Sequence, residues 1–313
     1  VKNLGKVNQH QWMLSLSLDS LYLTFMTKKP EPLLVIDLTP RADQATKPSE
    51  LIQITGHQAL SLNARRSITL LWHNAHQQGI EEGRDYTIEI DDLIASNHKG
   101  YDVVEEAVVA LMQALITVKH PDGSTTRVQF LGGNDMDSPT RPAGVLTYSF
   151  DKRLVNILRN STIWGKISLP VLVALSSKYS ISFYEHLSQW TGLTNKTSQV
   201  LTLDEMRSML GIEGTKYPRF SDLNKHVIKP ISQELNALAQ FNVSVLPIKT
   251  GNKVTHLRVG WWLKDKDEVK AAWQELQRSK IGRRARISDQ VSLVLEPSPS
   301  LNRVTRNGLK QLK

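Results

Sequence analysis

The chain has 313 residues, no cysteine, 40% hydrophobic residues and a formal net charge of +9 at pH 7. Its length supports two domains with cores of their own, and the missing thiols exclude disulfides and thiolate metal sites, in keeping with a reducing cytoplasmic compartment. No run approaches the roughly eighteen uninterrupted apolar residues of a membrane span, and Asn8, Gln9, His10 and Gln11 interrupt any signal-peptide core.

Residues 1–50 read as an arm, because Pro30, Pro32, Pro40 and Pro48 break up the apolar stretches Leu14 to Phe25 and Leu33 to Leu38. Leu60 to Gln78 has helical spacing of Leu60, Ala64, Ile68, Leu71, Trp72 and Ala75. A strand follows, Tyr86 to Ile90, then a short helix with Asp91 and Asp92 in its first turn, ending near Ser96. Tyr101 to Leu115 is helical, with Val104, Ala107, Val108, Leu111 and Leu115 on one face. The next strands are Ile116 to His120 and Arg127 to Leu131, joined by the turn Pro121 to Ser124. A loop, Gly132 to Gly144, leads to a strand, Val145 to Phe150, and a short helix, Asp151 to Leu158. Pro170 to Trp190 reads as one long connecting helix.

The second half repeats that order. Val200 to Leu203 is a short strand, and Thr202 caps a helix, Leu203 to Leu210, with Glu205 completing a capping box and Gly211 ending it. From Tyr217 to Asn236 the apolar residues Phe220, Leu223, Val227, Ile231 and Leu235 recur every three or four positions and line one face. Asn242 to Lys249 and Lys253 to Trp261 alternate as strands around a hairpin tip, Thr250 to Asn252, where Gly251 can take φ > 0. Helix, strand, helix, basic helix and hairpin is the winged-helix order, so the fold class expected is α+β with two tandem winged-helix domains joined by a long helix. The boundaries are an arm at 1–50, a first domain at 51–160, a second at 161–263 and a basic C-terminal extension at 264–313. That extension starts with a helix, Lys266 to Ser279, followed by Lys280, Arg283, Arg284 and Arg286.

Counting Lys and Arg against Asp and Glu, residues 1–50 carry +1, 51–200 carry −1, 201–263 carry +3 and 264–313 carry +6. A polyanion partner is therefore expected at the second domain and the tail, although a solvated surface would show the same excess. Arg219, Ser221, Asn224, Lys225 and Lys229 face away from the apolar stripe and are the candidates for the major groove, where Lys or Arg can pair with guanine and Asn with adenine. Lys216 before the helix and Lys249, Asn252 and Lys253 on the wing are the candidates for phosphate. The bland alternative is a solvated polar helix face. Pro230 removes a donor and clashes with the carbonyl of His226, so a kink or break is expected near Lys229. In the first domain, the helix equivalent to this one carries Asp102, Glu105 and Glu106 and no cation, so this unit either meets DNA elsewhere, as through Lys99 and Arg127, or serves protein contact; dimerisation with modest DNA contact is the favoured expectation.

Catalytic signals are missing from the sequence. His73 and His76 are three apart but have no third ligand nearby, so a surface role is expected rather than a metal site. There is no His-x-His motif for a nicking tyrosine and no phosphate-binding G-x-x-x-x-G-K-[ST] loop. Tyr179, Tyr184 and Tyr217 are expected to pack or touch phosphate, and Trp261 to face the core. No cofactor, metal or enzymatic activity is expected.

Three stretches carry a family resemblance: Ser177 to Leu187 with its Tyr184-Glu185 pair, Tyr217 to Asn236, and Lys249 to Gly260. With Leu51 to Gly56 and Leu60 to Arg66 as a looser match, the chain resembles, over about residues 51–262, the iteron-binding plasmid replication initiators with paired winged-helix domains. The resemblance implies a cytoplasmic initiator that binds tandem direct repeats (iterons) in double-stranded DNA as a monomer. It further implies opening of an adjacent A+T-rich segment, recruitment of the host initiator and replicative helicase, and a dimer that represses its own gene. A winged-helix repressor at an inverted repeat, with no replication role, is the alternative.

Overall fold

A computed structural model of the chain describes residues 39, 41–94, 100–119, 123–136, 144–192 and 196–294. Most of the expected arm, Lys99 and the end of the tail lie outside the described residues.

The helical and alternating apolar patterns close two hydrophobic cores. Around the first are α1 (Ser49–Ile52), α2 (Leu62–Gln78), β2 (Tyr86–Glu89), α3 (Ile90–Leu93) and α4 (Gly100–Gln113), after the strand β1 (Gln44–Pro48). Strands β3 (Leu115–Lys119), β4 (Thr125–Gln129), β5 (Leu131–Asp135) and β6 (Val145–Phe150) and helix α5 (Lys152–Arg159) complete it. Leu71, Leu111, Ile116, Phe130 and Leu146 are fully buried there, each adding about 1.5–3 kcal/mol of apolar burial. β7 (Trp164–Ser168) and α6 (Leu169–Ala174) lead to the second core, built by α7 (Lys178–Thr191), β8 (Ser198–Thr202), α8 (Leu203–Leu210), a long helix from Phe220 to Leu238, β9 (Phe241–Thr250) and β10 (Lys253–Leu263).

The two cores carry equivalent antiparallel sheets. The order is β2-β6-β5 in the first and β8-β10-β9 in the second, so each strand that precedes a helix pair joins the later strand of the hairpin. The β3-β4 hairpin is a separate sheet inserted into the first unit. Leu131–Asp135, expected in a loop from Gly132 onward, is therefore the true counterpart of β9. Gly132 and Gly133 hid it, since glycine has no side chain to show alternation.

Two further expectations are corrected. Gln44–Pro48 belongs to no arm: it pairs antiparallel with Trp164–Ser168, and Ala45 is fully buried in the second core. The single long helix expected over 170–190 is two helices, α6 and α7, interrupted at Leu175 to Ser177. Ser177 leaves helical geometry and its hydroxyl accepts from the Tyr179 N–H, while the Ser176 N–H donates to Glu234 Oε1 at 2.8 Å. A buried carboxylate and a serine cap thus outcompete helix continuation. Among the described residues, no helix is long and apolar enough to cross a membrane.

The cores meet through polar groups. Lys47 Nζ donates to Glu185 Oε1 at 2.6 Å and to Thr69 Oγ1 at 3.0 Å, with Lys47 only 1% exposed. Burial pushes the Lys47 ammonium below its usual range, and Glu185 opposes that shift. From α2, Arg65 donates to the carbonyls of Lys178 (3.0 Å), Leu210 (3.0 Å), Gly211 (3.5 Å) and His57 (3.1 Å). His73 and His76 are not surface histidines: His73 is buried, and His76 stacks at 5.6 Å on Trp72 and 6.1 Å on Trp164.

The C-terminal extension is partly folded back onto this body. Helix α11 (Lys266–Gln277) opens on a capping box between Asp265 and Glu268. It presents Glu275, buried, to the start of α12 (Arg283–Val294). Arg283 Nε lies 3.3 Å and Arg286 Nη2 2.7 Å from Glu275 Oε1, and Arg283 also donates to the Ala174 carbonyl at 3.1 Å. Arg283 and Arg286 are therefore structural cations here rather than a solvated basic tail.

Candidate nucleic-acid interface

The exposed basic surface of the second unit is set by its own helix caps. Thr202 Oγ1 accepts from the Glu205 N–H at 3.1 Å while the Glu205 carboxylate accepts from the Thr202 N–H at 2.7 Å, the expected capping box. Gly211 ends α8 in the left-handed region at φ +64°. A Cβ there would lie 2.5 Å from Arg65 Nη2 and 2.7 Å from His57 Nε2, so only glycine fits. From α8, Arg207 donates to the carbonyls of Lys216 (2.9 Å) and Tyr217. This clamp holds Tyr217 at φ +54°, with its ring stacked on His226 at 6.1 Å. A non-glycine residue in that region is costly, so the approach to the basic helix is built by contacts rather than by local preference.

The basic helix runs as α9 (Phe220–Leu223), a π-helical turn at Asn224–Ile228, and α10 (Lys229–Leu238). Of the kink or break expected near Lys229, a break does not occur; the helix continues and widens just before it. The Lys229 N–H donates five residues back to the Asn224 carbonyl, and the wider turn accommodates the missing donor and the ring of Pro230. Asn224, Lys225 and His226 are consecutively exposed, and Val227 and Ile228 are consecutively buried.

All nine residues singled out from the sequence are exposed. Arg219, Ser221, Asn224, Lys225 and Lys229 share the solvent side of this helix. Lys249, Asn252 and Lys253 form a separate group at the wing tip, where Gly251 has φ +60° and Thr250 pairs with Lys253. Lys216, before the helix, is bound to Glu213 at 3.0 Å. That ion pair is exposed and of the kind worth little, so a phosphate can displace it. The angle between helix and wing is fixed by Asn236, whose side chain accepts from the Val243 N–H at 2.7 Å and donates to the Val243 carbonyl at 3.0 Å.

Two exposed basic side chains of the second unit were not singled out. His226 lies between the buried Leu223 and Val227, where the apolar spacing itself puts a residue outside. Arg258 projects from β10 between buried Leu257 and Val259, a position that strand alternation identifies. Of the aromatic residues, Trp261 faces the core at 5.3 Å from Trp190, while Trp262 is exposed. Tyr184 is packed: its hydroxyl accepts from the Ser168 N–H at 2.9 Å, and burial raises its pKa to about 12. In the first unit, Asp102, Glu105 and Glu106 are exposed on α4, a face that repels phosphate.

Residues 44–188 match the family model described as "Initiator Replication protein, WH1", and residues 202–261 match "Initiator Rep protein, WH2". A curated replication initiation protein from Escherichia coli is 26% identical over 156 residues, covering 48% of this chain and 46% of that protein. The chain thus aligns with about half the length of that relative. A crystal structure of Pi initiator protein in complex with iteron DNA has a TM-score of 0.55 at 19% identity, covering 72% of this chain and 98% of that one. This likeness is one of fold.

Proposed function

The chain belongs to the initiator Rep protein family and carries both of its winged-helix domains, and on that premise we propose that it is a plasmid replication initiator that binds tandem direct repeats at an origin. The observation carrying this reading is the exposed row Arg219, Ser221, Asn224, Lys225 and Lys229 on one helix, next to the exposed wing tip of Lys249, Asn252 and Lys253. In the proposed complex the helix reads base edges in the major groove, and Lys216 and the wing hold phosphates. The protein acts by binding energy that bends and opens DNA rather than by catalysis. Opening of an A+T-rich segment and recruitment of the host initiator and helicase complete the proposal. The acidic outer face of α4 suits the first unit to a contact between copies, through which a dimer would repress its own gene. Footprinting the protein on DNA flanking its gene tests this. Regularly phased protection over direct repeats is expected; protection of one inverted repeat at the promoter alone would make it a repressor.

A further inference from the structure

A cleft of about 990 Å³ lies beside the basic helix, and residues outside both matched family regions form one of its walls. Lys225 and Lys229 line it from the helix, Lys280 and Arg284 from the turn and start of α12, and Arg66 from α2. Its one acidic lining residue, Glu234, already accepts from the Ser176 N–H at 2.8 Å and the Ser180 hydroxyl at 2.5 Å. With Arg283, which is already tied to Glu275, six cations therefore surround space in which the one lining carboxylate is occupied. Among the described residues, Lys225, Lys229 and Arg284 have no hydrogen-bond or ion-pair partner, although a nearby acid was available to the neighbouring arginines through Glu275.

We propose that this cleft is a second phosphate-binding surface, in which the folded-back C-terminal segment grips the sugar–phosphate backbone flanking the bases read by the helix. The inference rests on the DNA-binding reading above. Lys225 and Lys229 belong both to the cleft and to the face assigned to the major groove, so a duplex seated on that face passes the cleft mouth. Arg284 then meets a phosphate outside the reach of the wing. The wall is preorganised, because Glu275 holds Arg283 and Arg286 on either side of Arg284, and little ordering remains for binding to supply.

The test uses the full chain, with Arg284→Ala and Arg284→Lys, on duplexes carrying one repeat or a scrambled repeat, each with long flanks or trimmed to the repeat. On long duplexes Arg284→Ala is expected to weaken repeat and scrambled DNA alike and to reduce the salt slope by about one. Arg284→Lys should restore the slope, and on trimmed duplexes the variants should match the parent protein. An unchanged slope on long duplexes, or a loss confined to the repeat sequence, overturns the proposal. A parent protein that does not prefer repeat over scrambled DNA overturns the origin-binding reading instead, while the slopes still decide the cleft.

Discussion

At the scale of single residues, the proposed DNA contacts divide the exposed cations into two kinds with different signatures. Lys225 sits in the exposed triplet Asn224 to His226, within the π turn, where the DNA-binding reading has it reach a base edge. Replacing it with Ala is expected to cost about 1–3 kcal/mol on the preferred repeat and to relax selectivity at one base pair, as measured by competition among single-substitution duplexes. Lys253 lies at the hairpin tip, and its replacement with Ala should weaken all sequences equally and lower the salt slope by about one. These candidates were legible because they follow from a strict phase: once Leu223, Val227, Ile231 and Leu235 are inside, the residues between them are outside. His226, between Leu223 and Val227, obeys the same phase and was passed over; the exception is Ile228, buried beside Val227 in the π turn.

At the scale of elements, local signals were read well and distant ones poorly. The capping box of Thr202 and Glu205 and the left-handed Gly211 involve neighbours in sequence, so they were evident before any fold was known. The interruption between α6 and α7 depends on Glu234, 58 residues beyond Ser176, which no local pattern announces. The strand Gln44–Pro48 likewise needs a partner at Trp164–Ser168, more than a hundred residues away, and its proline argued for an arm. At α12, too, distant contacts decide, with one side chain gathering most of the ion pairs at its start. Glu275 receives Arg278, Arg283 and Arg286, so Glu275→Ala should detach the start of α12. Hydrogen exchange over residues 283–288 is expected to accelerate, with residues 203–238 unchanged.

At the scale of the whole molecule, the two cores share a seam whose groups are ionic and buried. Removing one partner strands the other, so Glu185→Ala should destabilise by about 3–5 kcal/mol, read from the urea midpoint. The double replacement Lys47→Met with Glu185→Leu should recover most of that loss. Acid should weaken the same region. Burial, with Arg65 as the next cause, depresses His57 to about 3, and burial also lowers His73, His76 and His186. Between pH 6.5 and about 3 the unfolded chain binds more protons than the native one, so stability falls as pH falls through that window. The slope is at most about 1.4 kcal/mol per pH unit for each such histidine. A thermal melt at pH 5 should accordingly show a lower midpoint than one at pH 7. A midpoint that rises on acidification would contradict this account.

Arg65 has a consequence for descent. Four of its acceptors, at His57, Lys178, Leu210 and Gly211, are main-chain oxygens, which no point mutation can delete. Its docking is thus insulated from most changes in the side chains opposite it. On the DNA-binding reading, the basic helix can accumulate substitutions and acquire new target sequences while the joint between the halves stays as it was. A lineage built this way can diversify what it reads without relearning how to fold.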